Sequence, residues 1–94
     1  MPNFPGGSAW AMVRDIGNGH QMVTERTFMP FNAAQLNKLA FELDRHLRAV
    51  RGDQPPLEDI QAQRERHRKI TRINSASMIL KNVRMRRGRG SRGG

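Results

Sequence analysis

The segment that most constrains the fold is residues 31–52, FNAAQLNKLAFELDRHLRAVRG. Asn32 is an N-cap residue whose side-chain oxygen can accept from the free amides of a first helical turn. Gln35 follows three residues later, as in a capping box, and Phe31 and Leu36 occupy the two positions of a hydrophobic staple. These signals predict that a helix begins at Asn32.

The same segment carries one apolar stripe at helical spacing. The members of the stripe are Leu36, Leu39, Ala40, Leu43, Leu47 and Val50. Gly52 is a typical residue after a helix end, and two prolines at 55–56 prevent the helix from continuing. We therefore predict a helix over 32–51. Because the rest of the chain supplies little to cover the stripe, we expect self-association through its leucines to form a homodimer.

Two segments precede this helix. Residues 1–9, MPNFPGGSA, hold two prolines and two glycines and predict a flexible lead-in. Residues 10–28 contain an Asn-Gly pair at 18–19, which supplies the positive φ angles of a type I′ turn between two flanks that partly alternate. Arg14 shares a face with Trp10, so the alternation is imperfect. A β-hairpin over 10–28 and an irregular arm both remain open.

The chain after the prolines predicts further helix. Pro56 suits a first helical turn. At 100° per residue, Leu57 and Ile60 lie on one side of a helix, and a second apolar set centres nearly opposite. That second set is Ile70, Ile73, Ala76, Leu80 and Val83. One straight helix could not bury both sets against one partner, so we predict two helices, 56–70 and 74–86. The alternative is a continuous helix buried on different faces at its two ends.

The fold class that follows is mainly α. We expect a small helical domain of two or three helices over residues 10–85, with the hairpin at its start and a disordered Arg/Gly-rich tail over 86–94. The 94 residues, 36 % of them hydrophobic, favour one domain with a small core. The chain has no cysteine, which excludes disulfides and thiolate metal sites. It has neither a membrane-length apolar run nor a secretory signal, so we expect an intracellular protein without a membrane partner.

The positive charge is unevenly distributed. The formal net charge is +9. Residues 1–65 hold seven Lys and Arg against all eight acids, whereas residues 66–94 hold ten Lys and Arg and no acid. This asymmetry predicts a nearly neutral body with a basic arm that binds a polyanion.

Nucleic acid is the polyanion that we expect as the partner. Arginine presents a planar fork that matches phosphate, and each neutralised phosphate releases counterions. None of the aromatic residues lies within 64–94, so stacking on single strands has little support and a duplex of RNA or DNA is favoured. The candidate binding residues are Arg64, Arg66, Arg68, Lys69, Arg72, Lys81, Arg84, Arg86, Arg87, Arg89 and Arg92.

The carboxyl-terminal residues resemble a known type of sequence. Arg87-Gly-Arg-Gly and Arg92-Gly-Gly94 are similar to the arginine–glycine boxes of RNA-binding proteins. The resemblance covers about nine residues. It favours RNA over DNA but implies no particular fold or partner.

Two alternatives to backbone binding remain open. A segment at 21–28 with some alternation, followed by a capped helix and by 74–85, resembles the ribbon-helix-helix repressors, although residues 52–73 intervene where those folds have a short turn. The other alternative is a protein-binding regulator or an assembly component of a ribonucleoprotein or virion, docking on an acidic protein. An exposed apolar patch including Trp10, Phe41 or Met78 would favour it.

Catalysis has little support in the sequence. His20, His46 and His67 are far apart and lack metal-ligand spacing. No nucleophile–base arrangement, glycine-rich phosphate loop or carboxylate pair is evident. We therefore expect a non-enzymatic protein with no catalytic residues, no cofactor and no metal site.

Overall fold

The computed structural model describes residues 3–93, and side chains through Gly88. It contains four helices: α1 (Ala9–Gly17), α2 (Glu25–Phe28), α3 (Ala33–Gly52) and α4 (Ile60–Gly93). The described residues include no strand. A mainly helical small domain is therefore confirmed, whereas the predicted hairpin over 10–28 is wrong.

Helix α1 occupies the first half of the predicted hairpin. The Ser8 side chain caps its amino end by accepting from the Ala11 amide at 3.1 Å. Met12, Val13 and Ile16 recur at helical spacing and are at most 2 % exposed. The prediction allowed a hairpin or an irregular arm and no helix, whereas burial of three large apolar side chains on one stripe stabilises a helix.

The Asn-Gly pair at 18–19 ends helix α1 and does not join two strands. The Gly19 amide donates to the Ile16 carbonyl at 3.1 Å, and the His20 amide donates to the Asp15 carbonyl at 2.9 Å. This pair of backbone hydrogen bonds is a Schellman motif, which requires a residue in the left-handed conformation at the position of Gly19. Gly19 has φ of 79°, so the positive φ that we expected at this pair is real but serves a helix end.

Gly19 supports a stability prediction with a matched control. A Cβ at this position would lie 2.7 Å from Cζ of Arg72, in addition to the left-handed backbone. We expect Gly19→Ala to lower the free energy of unfolding by about 2 kcal/mol, measured by urea denaturation. Gly52→Ala meets nothing within 4 Å and should leave stability unchanged or raise it slightly. Equal effects of the two substitutions would contradict this account of the turn.

Helix α3 confirms the prediction over 32–51 within one residue. The Asn32 side chain accepts from the Gln35 amide at 2.8 Å, and the Gln35 side chain accepts from the Asn32 amide at 2.9 Å. Phe31 and Leu36, the staple pair, are both buried.

Helix α4 is continuous, so the predicted division into helices 56–70 and 74–86 is wrong. It begins at Ile60, where Asp59 accepts from the Ala62 amide at 3.0 Å. The two apolar sets do differ in phase, but only the later one is buried. Leu57 and Ile60 remain 88 % and 61 % exposed. The break followed from assuming that both sets had to be buried, and this chain leaves one set in solvent.

The core forms where α1, α2 and α3 pack on one side of α4. Arg66 contacts the carboxyl end of α3 and Arg84 contacts Asn37 near its start, so α3 runs antiparallel to α4. The largest fully buried side chains are Phe28, Met12, Leu36, Leu39, Leu43, Ile73, Leu80 and Val13. The leucine stripe of α3 is thus covered by α1 and α4 of the same chain. Leu47 is only half-buried, and a homodimer through the stripe stays a prediction.

The predictions for the two terminal segments are not confirmed by the described residues. The ring of Phe4 lies 5.1 Å from that of Phe31, which attaches the lead-in segment to the core. Helix α4 extends to Gly93, so the disordered tail over 86–94 is not confirmed. The 34 residues of α4 rise about 51 Å at about 1.5 Å per residue, and the molecule is 55 Å long.

Candidate nucleic-acid interface

Every candidate binding residue belongs to α4, and the structure separates these residues by what their side chains contact. The side chains of Arg89 and Arg92 lie outside the described part. The nine others form three groups. Some bind backbone carbonyls of earlier helices, some pair with another side chain, and some have no hydrogen-bond or ion-pair partner among the described residues.

Three arginines bind the carboxyl ends of the three other helices. Arg66 donates to the carbonyls of Val50 at 3.2 Å and Arg51 at 3.0 Å, at the end of α3. Arg72 donates to the Gly17 carbonyl at 3.1 Å, at the end of α1. The last carbonyls of a helix lack intrahelical partners and carry partial negative charge, so a cation there is stabilising.

Arg87 does the same for the short helix α2. It donates to the carbonyls of Phe31 and Met29, the latter at 2.6 Å, with a longer contact of 3.5 Å to Phe28. Arg66, Arg72 and Arg87, which we call the capping arginines, therefore hold the fold together. Their forks are already engaged, which makes them poor phosphate ligands in this conformation.

Three further arginines have side-chain partners and remain exposed. Arg68 pairs with Glu65 at 3.1 Å within α4. Arg86 pairs with Glu25 at 2.6 Å, and Arg84 donates to the Asn37 side chain at 2.7 Å. Exposed pairs of this kind contribute about 0–1 kcal/mol to stability. A phosphate can therefore displace the Glu or Asn side chain from its arginine at small cost.

The last group of cations on α4 makes no hydrogen bond or ion pair with any described residue. Its members are Arg64, Lys69 and Lys81. Lys69 is half-buried beside the carboxyl end of α3, near Asp53 and Glu65. Arg64 and Lys81 are exposed, and Lys81 also lines a recess between α3 and α4 that includes Asp44. These two side chains are the cations of the described part of α4 most available to a ligand.

Arg64 and Lys81 share the side of α4 that faces away from the core. Ile73, Ala76, Leu80 and Val83 point inward. The opposite side, which we call the outer face, comprises the exposed residues Ile60, Arg64, His67, Arg68, Thr71, Ser75, Met78, Lys81, Asn82 and Met85. Arg64, His67 and Arg68 surround one shallow recess with Ile60 and Gln63. Seventeen positions separate Arg64 from Lys81, which is about 26 Å along a helix.

A second surface was only partly foreseen from the sequence. Trp10 is 46 % exposed, with the Arg14 guanidinium 5.1 Å from its ring centroid and the His46 ring 5.7 Å away. Phe41 is 65 % exposed on α3 and shares a shallow recess with Ala9. These side chains form the aromatic patch of α1 and α3.

One buried polar atom lies beside that patch. Oε2 of Glu42 is shielded from solvent and has no hydrogen bond, and it lies 3.6 Å from Nδ1 of His46. The other carboxylate oxygen faces Arg45 at 3.4 Å. Within the described residues, no group of three or more His, Asp or Glu side chains is placed to bind a metal ion. No described helix combines the length and the apolar character needed to cross a bilayer.

Comparisons with family models, with curated proteins and with solved structures each gave no match. The geometry of the outer face is therefore the main basis for assigning a function to this protein.

Proposed function

We propose that this protein binds nucleic acid, without catalysis, by placing the outer face of α4 against the phosphate backbone of a duplex. The observation that carries the proposal is the pair of exposed cations Arg64 and Lys81 on one face of α4, neither of which has a partner among the described side chains. Arg68 lies at the edge of the same face. From Arg66 to the end of the chain there is no acid to oppose a polyanion.

The capping arginines support this proposal indirectly. Because they hold α1, α2 and α3 against the inner side of α4, the outer face is presented as a fixed surface and needs no ordering on binding. A preorganised cationic surface loses less conformational entropy than a flexible basic tail when it binds. The resemblance of residues 87–94 to arginine–glycine boxes adds a second cationic segment, which continues from the same helix.

A salt titration tests the proposal. Three phosphate contacts, from Arg64, Arg68 and Lys81, give a slope of about −2.7 for log K against log salt concentration, so affinity falls about 40-fold between about 50 and 200 mM salt. Fluorescence anisotropy with a labelled 20-base-pair duplex would measure it. Affinity that barely changes over this range, or no binding at low salt, would reject the proposal.

The aromatic patch of α1 and α3 favours a second candidate function, which is binding to a protein. Exposed Trp and Arg side chains are enriched among the residues that dominate protein interfaces, and the patch combines Trp10, Arg14 and Phe41. An acidic protein would also complement the net charge of +9. If substitution of Trp10 and Phe41 abolished function while the outer face could be neutralised without effect, this candidate would replace the first.

A further inference from the structure

The outer face of α4 is uncharged between its two cationic ends. From Thr71 to Lys81, the exposed positions of this face are Thr71, Ser75 and Met78. Asn74 is half-buried at the edge of the face, where it lines a recess between α4 and α3. Asn82 continues it beyond Lys81. The Thr71 hydroxyl donates to the His67 carbonyl at 3.0 Å, so its oxygen is available to accept a hydrogen bond. The face therefore offers short hydroxyl and amide side chains in the middle and cations towards each end.

Neighbouring helices limit how far α4 protrudes. Along one flank, α1 and α2 approach it through the contacts of Arg72 with Gly17 and of Arg86 with Glu25. Along the other flank, α3 approaches it through the contact of Arg84 with Asn37. Because both flanks are occupied, α4 presents a broad and shallow surface and does not project as an isolated ridge.

The grooves of the two duplex forms differ in their fit to such a surface. The minor groove of B-form DNA is about 6 Å wide, too narrow for a helix about 10 Å across. Its major groove admits a helix but is about 8.5 Å deep, which a helix flanked on both sides cannot reach into. The minor groove of an A-form duplex is wide and shallow and displays ribose 2′-hydroxyls between its two phosphate strands.

From this match we infer that the ligand is double-stranded RNA, bound across its minor groove. Arg64 and Arg68 contact phosphates on one side of the groove and Lys81 contacts phosphates on the other. Asn74 and Ser75 hydrogen-bond to 2′-hydroxyls between them, and Asn82 does so just beyond Lys81. Thr71 and Ser75 are short, so the α4 backbone can approach the sugars closely at these two positions. This inference rests on the proposed function and adds to it the distinction between RNA and DNA, read through shape and not through base sequence.

Three duplexes of one sequence and one length test the inference: RNA, DNA and the RNA–DNA hybrid. At equal salt, we expect the RNA duplex to bind about tenfold more tightly than the DNA duplex, with the hybrid between them. Scrambling the RNA sequence should leave its affinity unchanged. Equal affinity for RNA and DNA duplexes would overturn the inference and leave the proposed function standing. Binding to neither duplex would overturn both, and tighter binding to single-stranded RNA would overturn the inference.

A pair of variants separates the two kinds of contact. Asn74→Ala, Ser75→Ala and Asn82→Ala combined should lower affinity for RNA and leave affinity for DNA nearly unchanged, so the preference for RNA falls. Arg64→Gln and Lys81→Gln combined should lower both affinities together. Alanine suits a helix, so the first variant is expected to fold, and circular dichroism checks this. A preference for RNA that survives the triple alanine substitution would contradict recognition through 2′-hydroxyls.

Discussion

The variant with all three capping arginines replaced by methionine is expected to lose about 3–6 kcal/mol of unfolding free energy. Each of Arg66, Arg72 and Arg87 donates charge-assisted hydrogen bonds to helix-end carbonyls, and each loss costs about 1–2 kcal/mol at these partly exposed positions. The three sites bind different helices and are well separated along α4, so their effects should add. Against a typical total of about 5–15 kcal/mol, this loss would leave the fold marginal.

Urea denaturation followed by circular dichroism measures this loss, and a second triple variant controls for charge. Arg45, Arg48 and Arg68 each pair only with an acid on their own helix. Their replacement by methionine removes the same three charges and should cost about 1 kcal/mol or less in total. If both variants were equally stable, the backbone contacts of the capping arginines would have no special role in the fold.

The variant with Arg64, Arg68 and Lys81 replaced by glutamine is expected to lose most of its affinity for a duplex. Removal of three phosphate contacts should reduce the salt slope by about 2.7 and weaken binding by about 30- to 100-fold at low salt. Stability should hardly change, because Arg64 and Lys81 have no partner among the described residues and Arg68 has only an exposed one. Anisotropy titrations at several salt concentrations give both the affinity and the slope.

Its matched control neutralises three cations on the solvent side of α3. Lys38, Arg45 and Arg48 are exposed, and their replacement by glutamine makes the same change in net charge. The first variant should lose most of the salt slope. The loss of slope in the control variant should be less than about half as large. If the two variants bound equally weakly, net charge and not the outer face would explain the affinity.

The part of the fold encoded by local signals could be predicted from the sequence. The signals that specify α3 lie close together in the sequence: the capping pair Asn32 and Gln35 and the leucine stripe. The structure has the helix at the predicted position. The Asn-Gly pair at 18–19 was more ambiguous, because positive φ serves a hairpin turn and a helix end equally well. Only the depth of burial of Met12 and Val13 distinguishes the two outcomes, and burial depends on residues far along the chain.

The continuity of α4 depended on a choice that the sequence leaves open. Periodicity correctly separated Leu57 and Ile60 from the later apolar set. It did not indicate that the first set would remain in solvent, because a helix can expose apolar side chains singly at modest cost. The core positions Ile73, Ala76 and Leu80 were correctly grouped.

The candidate site was predictable as a region but not as a surface. The composition identified α4 as basic, yet arginines at 64, 66 and 72 look alike in the sequence. Arg72 reaches Gly17 across 55 positions, and Arg87 reaches Met29 across 58. Contacts at such separations depend on tertiary packing. They divide the basic residues into those that cap helices and those left to meet a ligand.

Protection of the lysines by a bound duplex tests the outer face most directly. The chain has three lysines, at 38, 69 and 81, which acetylation and mass spectrometry can score separately in one sample. Lys81 lies on the outer face, and Lys38 is equally exposed on α3. With saturating duplex RNA, the account predicts several-fold slower modification of Lys81 and an unchanged rate at Lys38. Protection of Lys38 with Lys81 still fully reactive would place the ligand elsewhere and contradict the account.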